Sequence, residues 1–325
     1  MKSFITRVLF AASVTMGIQT SSIAADQNYP THPLRIVVPF APGGASDVVA
    51  RMLAQKLSES MGQTVVVDNR AGAGANIGIN IAAKSQADGY TVLIASSAFA
   101  VNPSLYSKIP WDPYRDFQPI TCVGSSPNIL AVHPAFSAKS VKDLIQLVQS
   151  QPGKHNYAST GTGTTPHLSG EMFRLAMKLD LNHIPFNGAG PELQAMVSGQ
   201  VPIGFASLPS FATQIKAGQL RGLAVTADKR AAALPEVPSM GELGYSGLSG
   251  DTFQGLFLPA GVSNPVFARL HKEIMQALAL PDIKERLVDL GFDPIANTPQ
   301  EFAAQVKSDI EKWRKVIQEI KIKAD

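Results

Sequence analysis

Two passages of the chain combine residue types that can hold an anion without a charged side chain. The first is Pro39-Phe40-Ala41-Pro42-Gly43-Gly44-Ala45-Ser46-Asp47, a strand-like run that ends in a glycine turn ahead of a helical apolar pattern. Such a turn presents unpaired backbone N–H groups at a helix N-terminus, where the aligned peptide dipoles place partial positive charge. Glycines there allow close backbone approach or a positive φ. Asp47 falls in the first turn of the expected helix, and capping suits it better than ligand contact because a fixed negative charge repels a bound anion. The second passage is Ser159-Thr160-Gly161-Thr162-Gly163-Thr164-Thr165-Pro166-His167, where four threonine hydroxyls join the amides. His167, opening the next helix, is the one histidine placed for a ligand contact, with structural hydrogen bonding as its other reading. Neither passage contains Lys or Arg, so any anion would be held by neutral dipoles and hydroxyls. A plain strand-to-helix turn has the same local sequence, but two such loops weigh more than one.

Other chemistries find little support. A third glycine loop, Arg70 to Gly78, has Ile77 where a dinucleotide fingerprint needs its third glycine, and the loop at Gly161 and Gly163 has Pro166 there. No loop ends in Gly-Lys-Ser/Thr, so no nucleotide cofactor is expected. The histidines, His32, His133, His155, His167, His183 and His271, are scattered without a metal-binding spacing, and no Gly-x-Ser-x-Gly elbow occurs. The expectation is no catalytic residue, no metal and no cofactor. The single cysteine, Cys122, cannot form an internal disulfide and reads as a small buried hydrophobe. A net charge of +3 without a basic cluster argues against nucleic acid as a partner.

The elements that must position these loops follow from periodicity. Strand-like runs at 34–40, 64–67, 91–95, 129–132, 155–158, 203–206 and 220–225 alternate with helical patterns, which predicts a parallel α/β architecture. Val48, Val49, Met52, Leu53 and Leu57 mark one helical core face; Leu168, Met172, Leu175 and Leu179 mark another; Leu193, Met196 and Val197 a third. Proline-rich joints at 102–119 and 235–238 flank a central segment that reads as a second domain. The C-terminal part is helical at 266–279, 282–290 and 299–320, with no linker to separate it, so it is expected to pack back on the first domain. The 325 residues suit about two domains. The division read from the chain is lobe 1 over 26–127 plus 251–325 and lobe 2 over 128–250. Two lobes joined by two crossings make a hinge, with a ligand cleft between them.

Residues 1–25 read as a cleavable signal peptide. Lys2 and Arg7 precede an apolar stretch from Val8 to Ile18, and small residues lead into Asp26. The apolar run is shorter than the ~20 residues of a membrane span. A free-diffusing exported protein, periplasmic in a Gram-negative cell, is the expected product.

These residues resemble a known family. Pro39 to Asp47, Val67-Asp68-Asn69-Arg70-Ala71-Gly72-Ala73-Gly74, Asp88-Gly89-Tyr90-Thr91, Gly161-Thr162-Gly163 and Phe257-Leu258-Pro259-Ala260-Gly261 are similar to motifs of the Bug family of periplasmic solute-binding proteins of tripartite tricarboxylate transporters. The segments 215–218 and 234–238 fit between them in the same order. The resemblance implies a two-lobed periplasmic-binding-protein fold that captures a small carboxylated solute, catalyses nothing, and delivers its ligand as a monomer to membrane permease subunits or reports it to a sensor protein. It places the carboxylate, partly through ordered waters, between Phe40, Ala41, Gly43, Gly44 and Ser46 on one side and Thr160, Gly161, Thr162, Gly163, Thr164 and His167 on the other. Ser96, Ser97, Asn187, Gly188 and Ser207 are further pocket positions. Relatives often have an Asp where this chain has Ser207, which counts against an amino acid ligand, and Phe40 with Phe253 would suit an aromatic or an aliphatic acid. The competing reading is an exported α/β enzyme, a hydrolase or isomerase acting on a small carboxylate.

Overall fold

The computed structural model describes residues 29–245, 247, 248 and 250–324; the expected signal peptide lies outside them. The chain begins with β1 (Leu34–Val38), α1 (Ala45–Met61), β2 (Val65–Asn69), α2 (Asn76–Ala83), β3 (Thr91–Ser96) and α3 (Ala98–Leu105). β1 pairs in parallel with both β2 and β3. β3 is buried at every residue, which is why Thr91-Val92-Leu93-Ile94-Ala95 lacks the alternation of a half-exposed strand.

The expected joint at 102–119 is instead the end of α3 followed, from Phe117, by the sixteen-residue strand β4 (Phe117–Val132). From Phe117 to Pro127 it pairs antiparallel with β9 (Asp251–Pro259); from Asn128 it pairs antiparallel with β7 (Ile203–Ser207) and β8 (Arg221–Val225). Its prolines do not break it. Pro119 sits where the register with β9 shifts, and Pro127 sits at the change of partners, both places where a missing N–H is tolerated. The architecture is therefore mixed rather than purely parallel.

The second lobe continues with α4 (Val141–Ser150), β5 (His155–Ser159), α5 (Thr165–Ala176), β6 (Leu181–Pro185), α6 (Ala189–Val197), β7, α7 (Leu208–Lys216) and β8. β5 pairs in parallel with β6 and β7. Both faces of this sheet are covered. Leu130, Tyr157, Phe205 and Leu223 join one buried cluster, while Ile129, Ala131, Ala158, Ala206 and Val225 join another, as the period of two requires.

The chain returns through β9 and ends in α8 (Asn264–Ala279), α9 (Pro281–Leu290), β10 (Asp293–Pro294) and α10 (Pro299–Ile320). In this part α8 lies on α1, and α10 on α3 and β4. α10 opens with a capping box, Thr298 and Glu301 exchanging side-chain and backbone hydrogen bonds, with Pro299 in the first turn. It contributes Phe302, fully buried, whose ring lies against Gly255 of β9 and meets Phe257 at 5.0 Å between centroids. Phe257 in turn stacks on Phe99 of α3 at 4.4 Å. Among the described residues no helix is long and apolar enough to cross a membrane. Phe302→Ala removes the ring that ties α10 to the sheet and is expected to cost about 3–5 kcal/mol, read as a lower urea midpoint with an unchanged slope.

Candidate functional site

The C-terminal ends of β1, β3, β5 and β7 open toward one gap between the lobes, where ligands of open α/β sheets bind. The gap holds a cavity lined by Phe40, Gly44, Ala45, Ser46 and Asp47 after β1, Ser96 at the end of β3, and Thr252 and Gln254 of β9 from the first lobe. The second lobe supplies Thr160, Thr164 and Pro166 after β5, Ala189 at the start of α6, and Ser207 and Ser210 at the start of α7.

The cleft is closed. Ala41 N–H donates to the Asn187 carbonyl at 2.9 Å, and Tyr106 O–H donates to the Thr162 carbonyl at 3.2 Å, so each pair bridges the lobes. Gly74 packs so tightly on that same Thr162 carbonyl that any Cβ would collide with it.

Seven of the residues singled out by sequence line the cavity: Phe40, Gly44, Ser46, Ser96, Thr160, Thr164 and Ser207. Ala41, Thr162, Asn187 and Gly188 stand at the lobe contacts instead, Gly188 facing Ala41 and Phe40. The remaining loop amides are engaged inside their own loops. Gly43 N–H donates to Asp47 Oδ2 at 3.0 Å, Gly161 N–H to Ser159 Oγ at 3.2 Å, and Gly163 N–H to His167 Nδ1 at 3.3 Å. Ser97 bonds β9 through Phe253 N–H and the Asp251 carbonyl. Phe253 faces away from the cavity and packs on Phe302, because successive side chains of a strand alternate and its neighbours Thr252 and Gln254 take the cavity side. Sequence reasoning missed those two, together with Ser210, Ala45, Pro166 and Ala189 and the cavity position of Asp47. The available signal was two polar residues on one face of an otherwise apolar strand, and Ser210 one helical turn after Ser207.

The donors left for a ligand belong to the helices themselves. In α1 the first helical bond runs from Val48 N–H to the Gly44 carbonyl, leaving Ala45, Ser46 and Asp47 N–H without intrahelical acceptors. α5, α6 and α7 begin on the cavity wall as well, so four N-termini surround one space. No Lys or Arg is among the lining residues. Burial would raise the Asp47 carboxyl, but bonds from Arg51, Gly43 N–H and Asn69 outweigh it and hold it below the usual range, as an ion bound to Arg51 at 2.9 Å. Glu192, one turn into α6, is fully buried with both oxygens unpartnered, and burial pushes its carboxyl well above the usual range, so it adds no charge. No group of three or more His, Cys, Asp or Glu among the described residues is arranged to hold a metal ion.

His167 holds the threonine loop from behind. It stacks on His183 at 4.3 Å, and Ser159 Oγ lies 2.6 Å from His183 Nε2 while accepting Gly161 N–H. That serine is fully buried, so the pair shapes the loop. Burial pushes His167 down to about 4 and, with the neighbouring His167, His183 down to about 3. A neutral His167 is what allows Nδ1 to accept from Gly163. Between the ordinary value of 6.5 and about 4 the unfolded chain binds the proton and the folded protein does not. This contribution is therefore complete above pH ~6.5 and lost as pH falls toward ~4. His167→Asn keeps an acceptor and does not titrate, so the gap in melting temperature between wild type and variant is expected to shrink as pH drops from 7 to 4.

The model of the tripartite tricarboxylate transporter family receptor matches residues 49–322. Protein BugT of Bordetella pertussis is 36% identical over 319 residues, covering 97% of each chain. The solved periplasmic binding protein BugD is 34% identical with a TM-score of 0.88 over 91% of this chain and 99% of that one. An R. palustris protein, Rpa4515, solved with adipate, is 32% identical with a TM-score of 0.87 over 91% and 99%. MatC from Rhodopseudomonas palustris, solved with malate, is 29% identical with a TM-score of 0.84 over 89% and 100%. By sequence over nearly its whole length and by its two-lobed α/β fold, this chain belongs to the family of tripartite tricarboxylate transporter receptors.

Proposed function

We propose that this solute-binding receptor is exported by its N-terminal signal peptide to the periplasm, closes on a small carboxylate, and hands it unchanged to the permease subunits of a tripartite transporter. The observation that carries the reading is a closed interlobe cavity walled by four helix N-termini and seven hydroxyl side chains, with no cationic side chain. Partial charges of this kind hold an anion reversibly, as delivery to a second protein requires. The adipate and malate found in two solved relatives support a carboxylate as ligand class. Lobe 1 comprises 26–127 with 251–325 and lobe 2 comprises 128–250, and the hinge lies where β4 and the segment before β9 cross between them.

In this proposal the ligand meets α1 at Ala45 and Ser46, the threonine loop at Thr160 and Thr164, and α7 at Ser207 and Ser210. Gly43, Gly161 and Gly163 form the turns that aim those helices, with His167 bracing the second. Ala41, Asn187 and Gly188 close the mouth. A bound acid recovered chemically unchanged separates this reading from an exported hydrolase or isomerase.

Two measurements test the reading. Malate, adipate and related acids are screened by thermal shift against their amides; an acid at 100 times its Kd adds about 2.7 kcal/mol to the native state, and its amide adds nothing. Nucleotides or sugars raising the melting temperature while no carboxylate does would sink the proposal. Gly44→Val addresses closure. Gly44 has φ −91°, which any residue adopts, but a Cβ there lies 3.2 Å from Ala189 Cβ across the cleft. The variant is expected to fold with a melting temperature near wild type and to lose at least tenfold in affinity by calorimetry.

A further inference from the structure

Near the point where β4 changes sheets, one side chain of the first lobe is sunk into the second. Thr252, on β9 opposite Ser126 of β4, is almost fully buried. Its hydroxyl donates to Asn128 Oδ1 at 2.8 Å and also meets the hydroxyl of Thr165, the first residue of α5. Asn128 is the first residue of β4 to pair within the second sheet, and it is completely buried. Its Nδ2 donates to Ser169 Oγ on α5 at 2.9 Å and to the Gly250 carbonyl on the returning crossing at 3.0 Å. Its carbonyl accepts Thr226 N–H, just after β8, at 2.8 Å. One amide thus joins both crossings, a helix and a strand end of the second lobe, and presents its oxygen to the first.

This seat is complete only with Thr252 in it. Rotation of the lobes apart would withdraw the hydroxyl and leave Asn128 Oδ1 and the Thr165 hydroxyl, both in dry surroundings, short of a partner. Thr252 also lines the cavity beside Gln254, whose Oε1 accepts Ser46 O–H at 2.7 Å. The residue that enters the seat therefore touches the space a solute would fill.

We propose that Thr252 is a closure pin: a positioning residue that, seated on Asn128 and Thr165, favours the closed arrangement of the lobes and links occupancy of the cavity to the hinge. Its link to occupancy rests on the cavity being the solute site; its effect on closure does not.

The test traps closed molecules of the full chain, exported and purified without added solute. Gly44→Cys with Ala189→Cys places two thiols across the cleft, their Cβ positions 3.2 Å apart when closed, a few tenths of an ångström short of the disulfide range of about 3.5–4.5 Å, which a slight parting of the lobes supplies. Cys122 is buried, and burial pushes its thiol up to about 12, so it stays unreactive. Disulfide formation under diamide then reports the closed fraction even when that state is a minority. Thr252→Val, which keeps the shape without the hydroxyl, is expected to slow trapping about tenfold, and Thr252→Ser to stay within about twofold. Thr165→Val, acting from the other side of the seat, is expected to slow it likewise, and decides the matter if Thr252→Val does not fold. Trapping at the parent rate in Thr252→Val or Thr165→Val overturns the proposal. Equal slowing in Thr252→Ser and Thr252→Val, with matching losses of melting temperature, overturns it as well, since that pattern marks packing. Malate and adipate are tested in a separate arm on the unsubstituted chain, whose Gly44 leaves the cavity intact: failure of both to raise its melting temperature counts against the carboxylate reading, while the solute-free trapping ratios still decide the pin.

Discussion

A strand that leaves one sheet for another must exchange its hydrogen-bond partners without stranding buried backbone groups, and the geometry of this protein follows from how β4 does so. The exchange falls between Pro127 and Asn128. Proline has no N–H to leave unpaired, and Asn128 brings an amide that satisfies carbonyl and hydroxyl neighbours from both sides. β9 begins opposite, at Asp251, so the two crossings lie side by side. With both crossings adjacent, the remaining strand ends of each lobe face each other across a gap. The cleft is the space the crossings leave.

That gap is electrically unusual in being polar without free charge. Asp47 is held by Arg51, Asn69 and Gly43; Glu192 is neutral under α6; His167 and His183 are neutral behind the threonine loop. What remains is the sum of four helix N-termini and a ring of hydroxyl groups. Such a field favours an anion and offers an ammonium group little, since no unpaired carboxylate faces the cavity among the described residues. Because the dipoles come from both lobes, the favourable potential is assembled only on closure, which couples binding to conformation through ordinary electrostatics.

The glycines have a different part from the one their composition suggests. Gly43, Gly161 and Gly163 direct their N–H groups to Asp47, Ser159 and His167, and so fix the angle at which each helix begins. Gly74 and Gly44 matter for the approach of the lobes, one against the Thr162 carbonyl and the other against Ala189. Small residues at these places are required by the closed state more than by the fold of either lobe.

The sequence by itself determined the local half of this structure. Periodicity located β1, β3, β5, β7 and β8 and the three C-terminal helices to within a few residues, because the alternation of apolar residues is imposed by elements that bury one face or both. The strand-to-helix passages at Gly43 and Gly161 were legible because proline, glycine and threonine are demanded by turn geometry and capping. The motifs spread along the chain also carried a resemblance to the family. The first half of β4 was hidden by its prolines, whose tolerance depends on register shifts against β9 that no local pattern records. Thr252 and Gln254 were equally hidden, since only the pairing of β9 beside β3 and β4 brings them to the cleft. Whether a loop amide is free or already bonded, whether Asp47 is exposed charge or a buried ion pair, and which side chain pins the lobes were decided by tertiary structure alone, because each depends on partners distant in the chain.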